Sequence, residues 1–167
     1  MRAEIGSGMD DADDVSDQYT PEDVESSVNA YWDDHDAYEA AKKAHADDPT
    51  FFFVDGPPYT SGQMHLGTAW NKTLKDAIIR YTRMSGYNVT DRPGYDMHGL
   101  PIEVKVEEEL GFESKQDIEE YGMESFIDRC KEFALENRAA MDEDFESIGV
   151  WMDFEDPYET ISPEYME

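Results

Sequence analysis

The chain has 167 residues, with 41 acidic against 13 basic side chains and a formal net charge of −28. That length suffices for one domain with its own core, and the sequence indicates no membrane span or secretory signal. A single cysteine, Cys130, excludes an intramolecular disulfide, offers no metal-site spacing and suits a reducing, cytoplasmic setting.

The charge is unevenly spread. Residues 1–49 hold 15 acidic and 3 basic side chains, residues 50–106 hold 5 and 6, and residues 107–167 hold 21 and 4. An acidic, disordered partner-binding protein is one reading of such flanks. Against it stand an aromatic content of 13% and clear amphipathic periodicity. A globular protein from a salt-rich cytoplasm fits better, because carboxylates keep its surface hydrated and molar salt shortens the Debye length to about 3 Å.

Residues 1–19 alternate Gly, Ser and Asp and read as a disordered acidic leader. Residues 20–49 read as N-terminal helices. Thr20-Pro21-Glu22-Asp23 supplies a cap, a first-turn proline and first-turn acids, and Val24, Val28, Tyr31 and Trp32 form a stripe. A second helix spans Ala37 to Ala46. His35 and His45 read as surface residues, and both helices are expected to pack against the domain formed by residues 50–167, without chemistry of their own.

Phe51-Phe52-Phe53-Val54 is too short for a helix and rich in strand formers. Asp55-Gly56-Pro57-Pro58 stops it. A long helix then opens at Met64-His65-Leu66-Gly67-Thr68. Its apolar stripe is Leu66, Ala69, Trp70, Leu74, Ala77, Ile78, Tyr81 and Met84, with Ser85-Gly86 as the stop. Lys72, Lys75, Arg80 and Arg83 lie off that stripe and read as an ordinary solvated face, ahead of direct contact with RNA. Tyr87 to Thr90 is a second strand, so strand, helix and strand make a βαβ unit and a parallel sheet. The loops 55–64 and 91–101 both follow strands and fall on one rim, where such sheets bind ligands.

Beyond Pro101, Ile102, Val106 and Leu110 mark a short helix ending at Gly111. Ser114 with Asp117 resembles a capping box for another helix, ending near Gly122. Phe126, Cys130, Phe133, Ala134, Asn137, Met141, Phe145 and Ile148 mark a long helix closed by Gly149. Cys130 lies on its apolar stripe and reads as core. Residues 151–167 carry turn signals at Asp156-Pro157 and Ser162-Pro163, and no internal repeat is present.

A strand, a tight loop and a helix N-terminus present free N–H groups and a positive dipole end to an anion. Neither common phosphate fingerprint occurs here. At the helix start His65 can donate to a phosphate oxygen, and Gly67 leaves room for a nucleotide to approach. No histidine, cysteine or acidic spacing suggests a metal site, and Ser61 is not in a nucleophile elbow.

His65-Leu66-Gly67-Thr68 after Gly56-Pro57-Pro58-Tyr59 resembles the HIGH signature of class I aminoacyl-tRNA synthetases. The run Asp91-Arg92-Pro93-Gly94-Tyr95-Asp96-Met97-His98-Gly99-Leu100-Pro101-Ile102-Glu103 is similar to isoleucyl enzymes; the valyl and leucyl relatives read closer to GWDHAGLP and GWDAFGLP. The resemblance covers Tyr31 to the C-terminus. It implies the first half of a Rossmann-like α/β catalytic domain over residues 50–167, a parallel sheet with flanking helices. It also implies ATP with Mg2+, L-isoleucine and tRNA(Ile) as partners of the intact enzyme, expected to be a monomer with no membrane partner.

The resemblance implies ATP contacts at Gly56, Pro58, His65, Gly67 and Thr68, with His65 and Thr68 in the catalytic signature. Thr68 replaces that signature's second histidine, as in archaeal and eukaryotic-type isoleucyl enzymes, which leaves a hydroxyl in place of a second imidazole. It places Pro57 against the isoleucine side chain, Asp96 on its ammonium group and His98 nearby, where it could instead brace the loop. The second class I signature, Lys-Met-Ser-Lys-Ser, does not occur. The expectation is the N-terminal part of a longer enzyme, ending near the start of its editing insertion and inactive alone. A stand-alone nucleotide-binding module and another HxGH-type nucleotidyltransferase are the alternatives.

Overall fold

The computed structural model describes residues 20–166; the expected leader lies outside them. Two helices, α1 (Pro21–Asp34) and α2 (Ala37–Ala44), precede β1 (Thr50–Phe52), α3 (Leu66–Met84) and β2 (Asn88–Thr90). There follow β3 (Gly94–Tyr95), α4 (Leu100–Leu110), α5 (Lys115–Tyr121), α6 (Met123–Ser147), β4 (Tyr158–Glu159) and α7 (Pro163–Met166). Pro21 sits in the first turn of α1 as expected, although the Thr20 side chain makes no cap bond.

Strands β1 and β2 pair in parallel with Phe51 opposite Val89, so the βαβ reading holds. β1 is shorter than the Phe51–Val54 run and begins one residue earlier, at Thr50. A second parallel pair, β3 with β4, aligns Gly94 with Tyr158. The turn-rich segment after Trp151 gave no sign of it, because a two-residue strand carries no periodicity and is set by its distant partner.

The core lies between α3, α4, α5 and α6. Ile102 and Val106 of α4, Ile118 of α5, and Phe126, Ala134, Met141 and Phe145 of α6 bury together with Ile79, Val89, Tyr95 and Met97. The 3.6-residue pattern of α6 therefore faces the core as expected, except at its end, where Ile148 lies past the helix and is exposed. Gly111 ends α4 at φ +71°, and the Asp117 carboxylate accepts the Ser114 amide at 2.8 Å to open α5.

Helix α3 reverses the expectation. Its apolar stripe points outward, with Leu66 82% and Trp70 67% exposed and Leu74, Ile78, Tyr81 and Met84 also open. Phe52 and Val54 are exposed as well. The inward face carries Lys72 at 1% and Arg83 at 3% exposure beside Ile79. The four basic residues are thus not a solvated face. Lys72 and Lys75 pair with Asp55, Arg80 pairs with Asp76 at 2.7 Å, and Arg83 pairs with Asp91 at 2.7 Å.

The N-terminal helices reach the rest of the chain through aromatic and charged contacts. Trp32 of α1 meets Trp151 edge-on at 5.0 Å, and the Arg80 guanidinium lies over both rings, 4.2 Å from Trp151 and 4.9 Å from Trp32. Tyr38 of α2 donates to Asp91 at 3.1 Å, and Lys42 pairs with Asp153 at 2.8 Å. Val24, Val28 and Tyr31 stay exposed, so only the Trp32 end of that stripe is used. No described helix is long and apolar enough to cross a membrane.

Candidate functional site

The two informative loops meet where the sheet geometry requires. Tyr59 and Asp96 form a parallel bridge. The Asp96 amide donates to the Pro58 carbonyl at 2.8 Å, and the Thr60 amide donates to the Asp96 carbonyl at 3.1 Å. The backbone of Gly56-Pro57-Pro58 therefore runs beside Asp96, just beyond the carboxyl ends of β1 and β2. Asp96 is half-buried, Pro57 and Pro58 likewise, and Gly56 is exposed. The Asp96 carboxylate has no partner among the described hydrogen bonds and ion pairs, so it is available to a cationic group.

His65 stands at the N-cap of α3 and is exposed. Its Nδ1 accepts the Thr68 amide at 3.2 Å, and Nε2 lies 3.2 Å from Thr68 Oγ1. The ring therefore folds over the first turn of the helix and satisfies one of its free amides. Gly67 makes this possible, since a Cβ there would lie 3.0 Å from His65 Cε1. The Met64 amide, bonded to Asp144 at 3.3 Å, ties the start of α3 to α6. His65, Gly67 and Thr68 form one cluster; no hydrogen bond joins it directly to Asp96.

His98 is exposed and makes no hydrogen bond within the described residues. It lines a groove of about 810 Å³ with Met97, Leu100, Ile118, Phe126 and Cys130. Neither the 56–58 loop nor His65 lines that groove. Burial, followed by the Glu103 and Glu107 carboxylates, pushes the Cys130 thiol up to about 11. Half-buried and packed against the core, Cys130 is a packing residue.

Beneath the loops lies a charged cluster that the sequence reading missed. Asp55 is fully buried and accepts from Lys72, from Lys75 at 2.6 Å and from the Gly94 amide at 3.0 Å. Lys75 also donates to the Gly56 carbonyl at 3.1 Å, and the Tyr158 hydroxyl donates to the Asp55 carbonyl. The Lys72 ammonium is held below its ordinary range by burial, against the pull of Asp55. Gly94 must be glycine here, because a Cβ would collide with the Tyr158 ring. Next to it Tyr95 donates to Asp142, which pairs with Arg138 at 2.9 Å. Burial raises the Asp142 carboxyl against those partners, and burial with Asp142 keeps the Tyr95 phenol protonated. A sequence signal for Asp55 existed: an acid at the end of an apolar strand, opposite lysines three apart on the next helix.

Among the described residues no group of three or more His, Cys, Asp or Glu is placed to hold a metal ion. The arrangement is a rim of backbone groups, one imidazole and one free carboxylate. It suits the binding and orientation of an anionic and a cationic ligand side by side.

The chain is similar to known proteins over most of its length. The isoleucine–tRNA ligase of Haloquadratum walsbyi is 81% identical over 155 residues, which is 93% of this chain and 15% of that protein. The isoleucine–tRNA ligase of Natronomonas pharaonis is 67% identical over 153 residues, 92% of this chain and 14% of that protein. The chain thus spans about 15% of the length of the curated relatives it matches. The structure of Agrobacterium radiobacter K84 agnB2 LeuRS in a ternary complex with tRNA and LeuAMS superposes with a TM-score of 0.64 at 22% identity, over 89% of this chain and 17% of that one, which speaks to the fold. The family described as tRNA synthetases class I (I, L, M and V) matches residues 27–167, and the chain belongs to it.

Proposed function

We propose that this segment supplies the ATP loop and part of the amino-acid pocket of an isoleucine–tRNA ligase. The observation that carries the reading is the bridge between Tyr59 and Asp96. It sets Gly56-Pro57-Pro58 and a free carboxylate side by side on the rim that ends in the N-terminus of α3. Activation joins the isoleucine carboxylate to the α-phosphate of ATP and expels pyrophosphate. Charge gathers on phosphate oxygens, so positioned donors matter more than a protein nucleophile.

In this reading His65 leaves its cap on Thr68 and donates to phosphate, helped by the dipole end of α3. Gly56, Pro58, Gly67 and Thr68 border the nucleotide. Asp96 takes the ammonium group, and Pro57 faces the side chain. Mg2+ arrives with ATP as part of the substrate, and tRNA(Ile) receives the isoleucyl group in the cytoplasm. The outward apolar face of α3 and β1 is covered by further parts of the full-length enzyme, which in the relatives are several times longer than this chain.

The test replaces the matching stretch of the Haloquadratum walsbyi ligase with this chain and introduces Asp96→Ala. The KM values for isoleucine and valine should rise together in ATP–pyrophosphate exchange, since both substrates carry the ammonium group. A loss confined to isoleucine would show that Asp96 reads the side chain instead.

A further inference from the structure

Resting on that reading, we propose that Asp55 is a positioning residue. With Lys72 and Lys75 it locks the ATP loop, the amino-acid loop and helix α3 into one register. The carboxylate lies at the foot of the Gly56–Pro58 loop and is fully buried. Each of its partners leads to a site residue. The Gly94 amide, bonded at 3.0 Å, lies two residues before Asp96. Lys75 bonds both Asp55, at 2.6 Å, and the carbonyl of Gly56, at 3.1 Å. Lys72 lies two helical turns, about 10 Å along the axis, beyond His65.

The Lys72 ammonium cannot swing away, because it sits 4.9 Å from the Phe145 ring and 3.8 Å from Met152 Sδ. Sliding α3 along the loop would therefore break a buried ion pair, and leaving one partner of such a pair unmatched is strongly disfavoured. Apolar side chains of equal volume would fill this space as well. They would leave the Gly94 amide and the Gly56 carbonyl unheld, however. Directional bonds are what this cluster adds, and those to the Gly94 amide and the Gly56 carbonyl end on the substrate rim.

The experiment uses the same full-length chimera, with kinetics and hydrogen exchange read together. Lys75→Met leaves Lys72, Asp55 and Gly94 joined but frees Gly56. It should raise the KM for ATP about tenfold, the scale of one lost hydrogen bond to a charged group, with the KM for isoleucine unchanged and Lys75→Arg restoring it. Asp55→Asn should raise both KM values and speed deuterium uptake in the peptide spanning 94–96. A structural role alone would lower the titrated fraction of active sites and leave both KM values as they were, and that result overturns the proposal. If Asp55→Asn fails to fold, Lys75→Met decides alone. A parent chimera without isoleucine-dependent exchange defeats the functional reading. Uptake at 94–96 still decides the lock, and unchanged uptake in a folded Asp55→Asn chimera refutes it.

Discussion

Helices α3 and α6 have similar amphipathic patterns and opposite fates. Helix α6 turns its apolar side inward, burying Phe126, Ala134, Met141 and Phe145. Helix α3 turns its apolar side outward and buries Lys72, Ile79 and Arg83. Periodicity shows that a helix has an apolar face, but not which surface that face meets. For α6 the partners are α4 and α5, within the described residues. For α3 the described residues offer carboxylates, Asp55 and Asp91, so its charged side goes in. Its apolar side forms an exposed patch of the kind that marks an interaction surface.

The sharpest way to break this comparison is to mutate both helices in this chain at molar salt. Phe145→Ala in α6 should cost about 3–5 kcal/mol of unfolding free energy. Ile78→Lys in α3 should stay within about 0.5 kcal/mol, yet destabilise the full-length chimera, where that face is covered. Equal losses in this chain, read by denaturant titration, would show that α3 buries its stripe after all.

The next effect sharpens the view of the α3 tip. His65→Ala in the chimera should slow isoleucine-dependent ATP–pyrophosphate exchange by about 10²–10³, the cost of one transition-state donor, with little change in isoleucine binding. An unchanged rate would leave His65 as a helix cap alone.

Cys130 tests the inner stripe of α6. A thiol pushed up to about 11 holds roughly a hundredth of the thiolate that one at 9 holds at pH 8. Alkylation of the folded chain should therefore run about a hundredfold slower than in denaturant, rising with pH through 11. The raised value also means that the stability from the neutral thiol is present below pH 9 and lost as pH rises to 11. Fast alkylation at pH 8 would contradict a thiol raised in this way.

The smallest and broadest effect concerns the acidic flanks. Their excess of carboxylates predicts helicity that grows from dilute buffer toward molar salt as repulsion is screened. Circular dichroism showing equal helicity at low salt would count against the salt-adapted reading.

Much of this architecture was legible in the residues alone. Strand, helix and strand around residues 50–90 came from a short apolar run, a proline stop and a 3.6-residue repeat. The bounds of α4, α5 and α6 came from Gly111, Gly122 and Gly149. The meeting of the 56–58 loop with Asp96 was legible because both loops follow parallel strands, which fixes their rim. The pairing of Gly94 with Tyr158 was not, since two-residue strands depend on register with a partner far along the chain. The Asp55 cluster left only the signal of an acid at a strand end, for a related reason. Lysines on a helix read as solvated until the path of the preceding loop is known, and only folding brings Asp55 beneath them. His98, also a motif residue, lines the groove beside α4, α5 and α6.

The most direct test of the assignment is amino-acid-dependent ATP–pyrophosphate exchange by the unmutated chimera, with this chain in place of the matching 155 residues of the Haloquadratum walsbyi ligase. Isoleucine should drive exchange and valine should drive it less efficiently. One methylene in an apolar pocket separates them by only about 1–3 kcal/mol, a limit for which isoleucyl-tRNA synthetases are the standard illustration. A chimera that folds as stably as its parent yet shows no exchange with isoleucine, or equal exchange without it, would contradict the assignment of the ATP loop and amino-acid pocket to this segment.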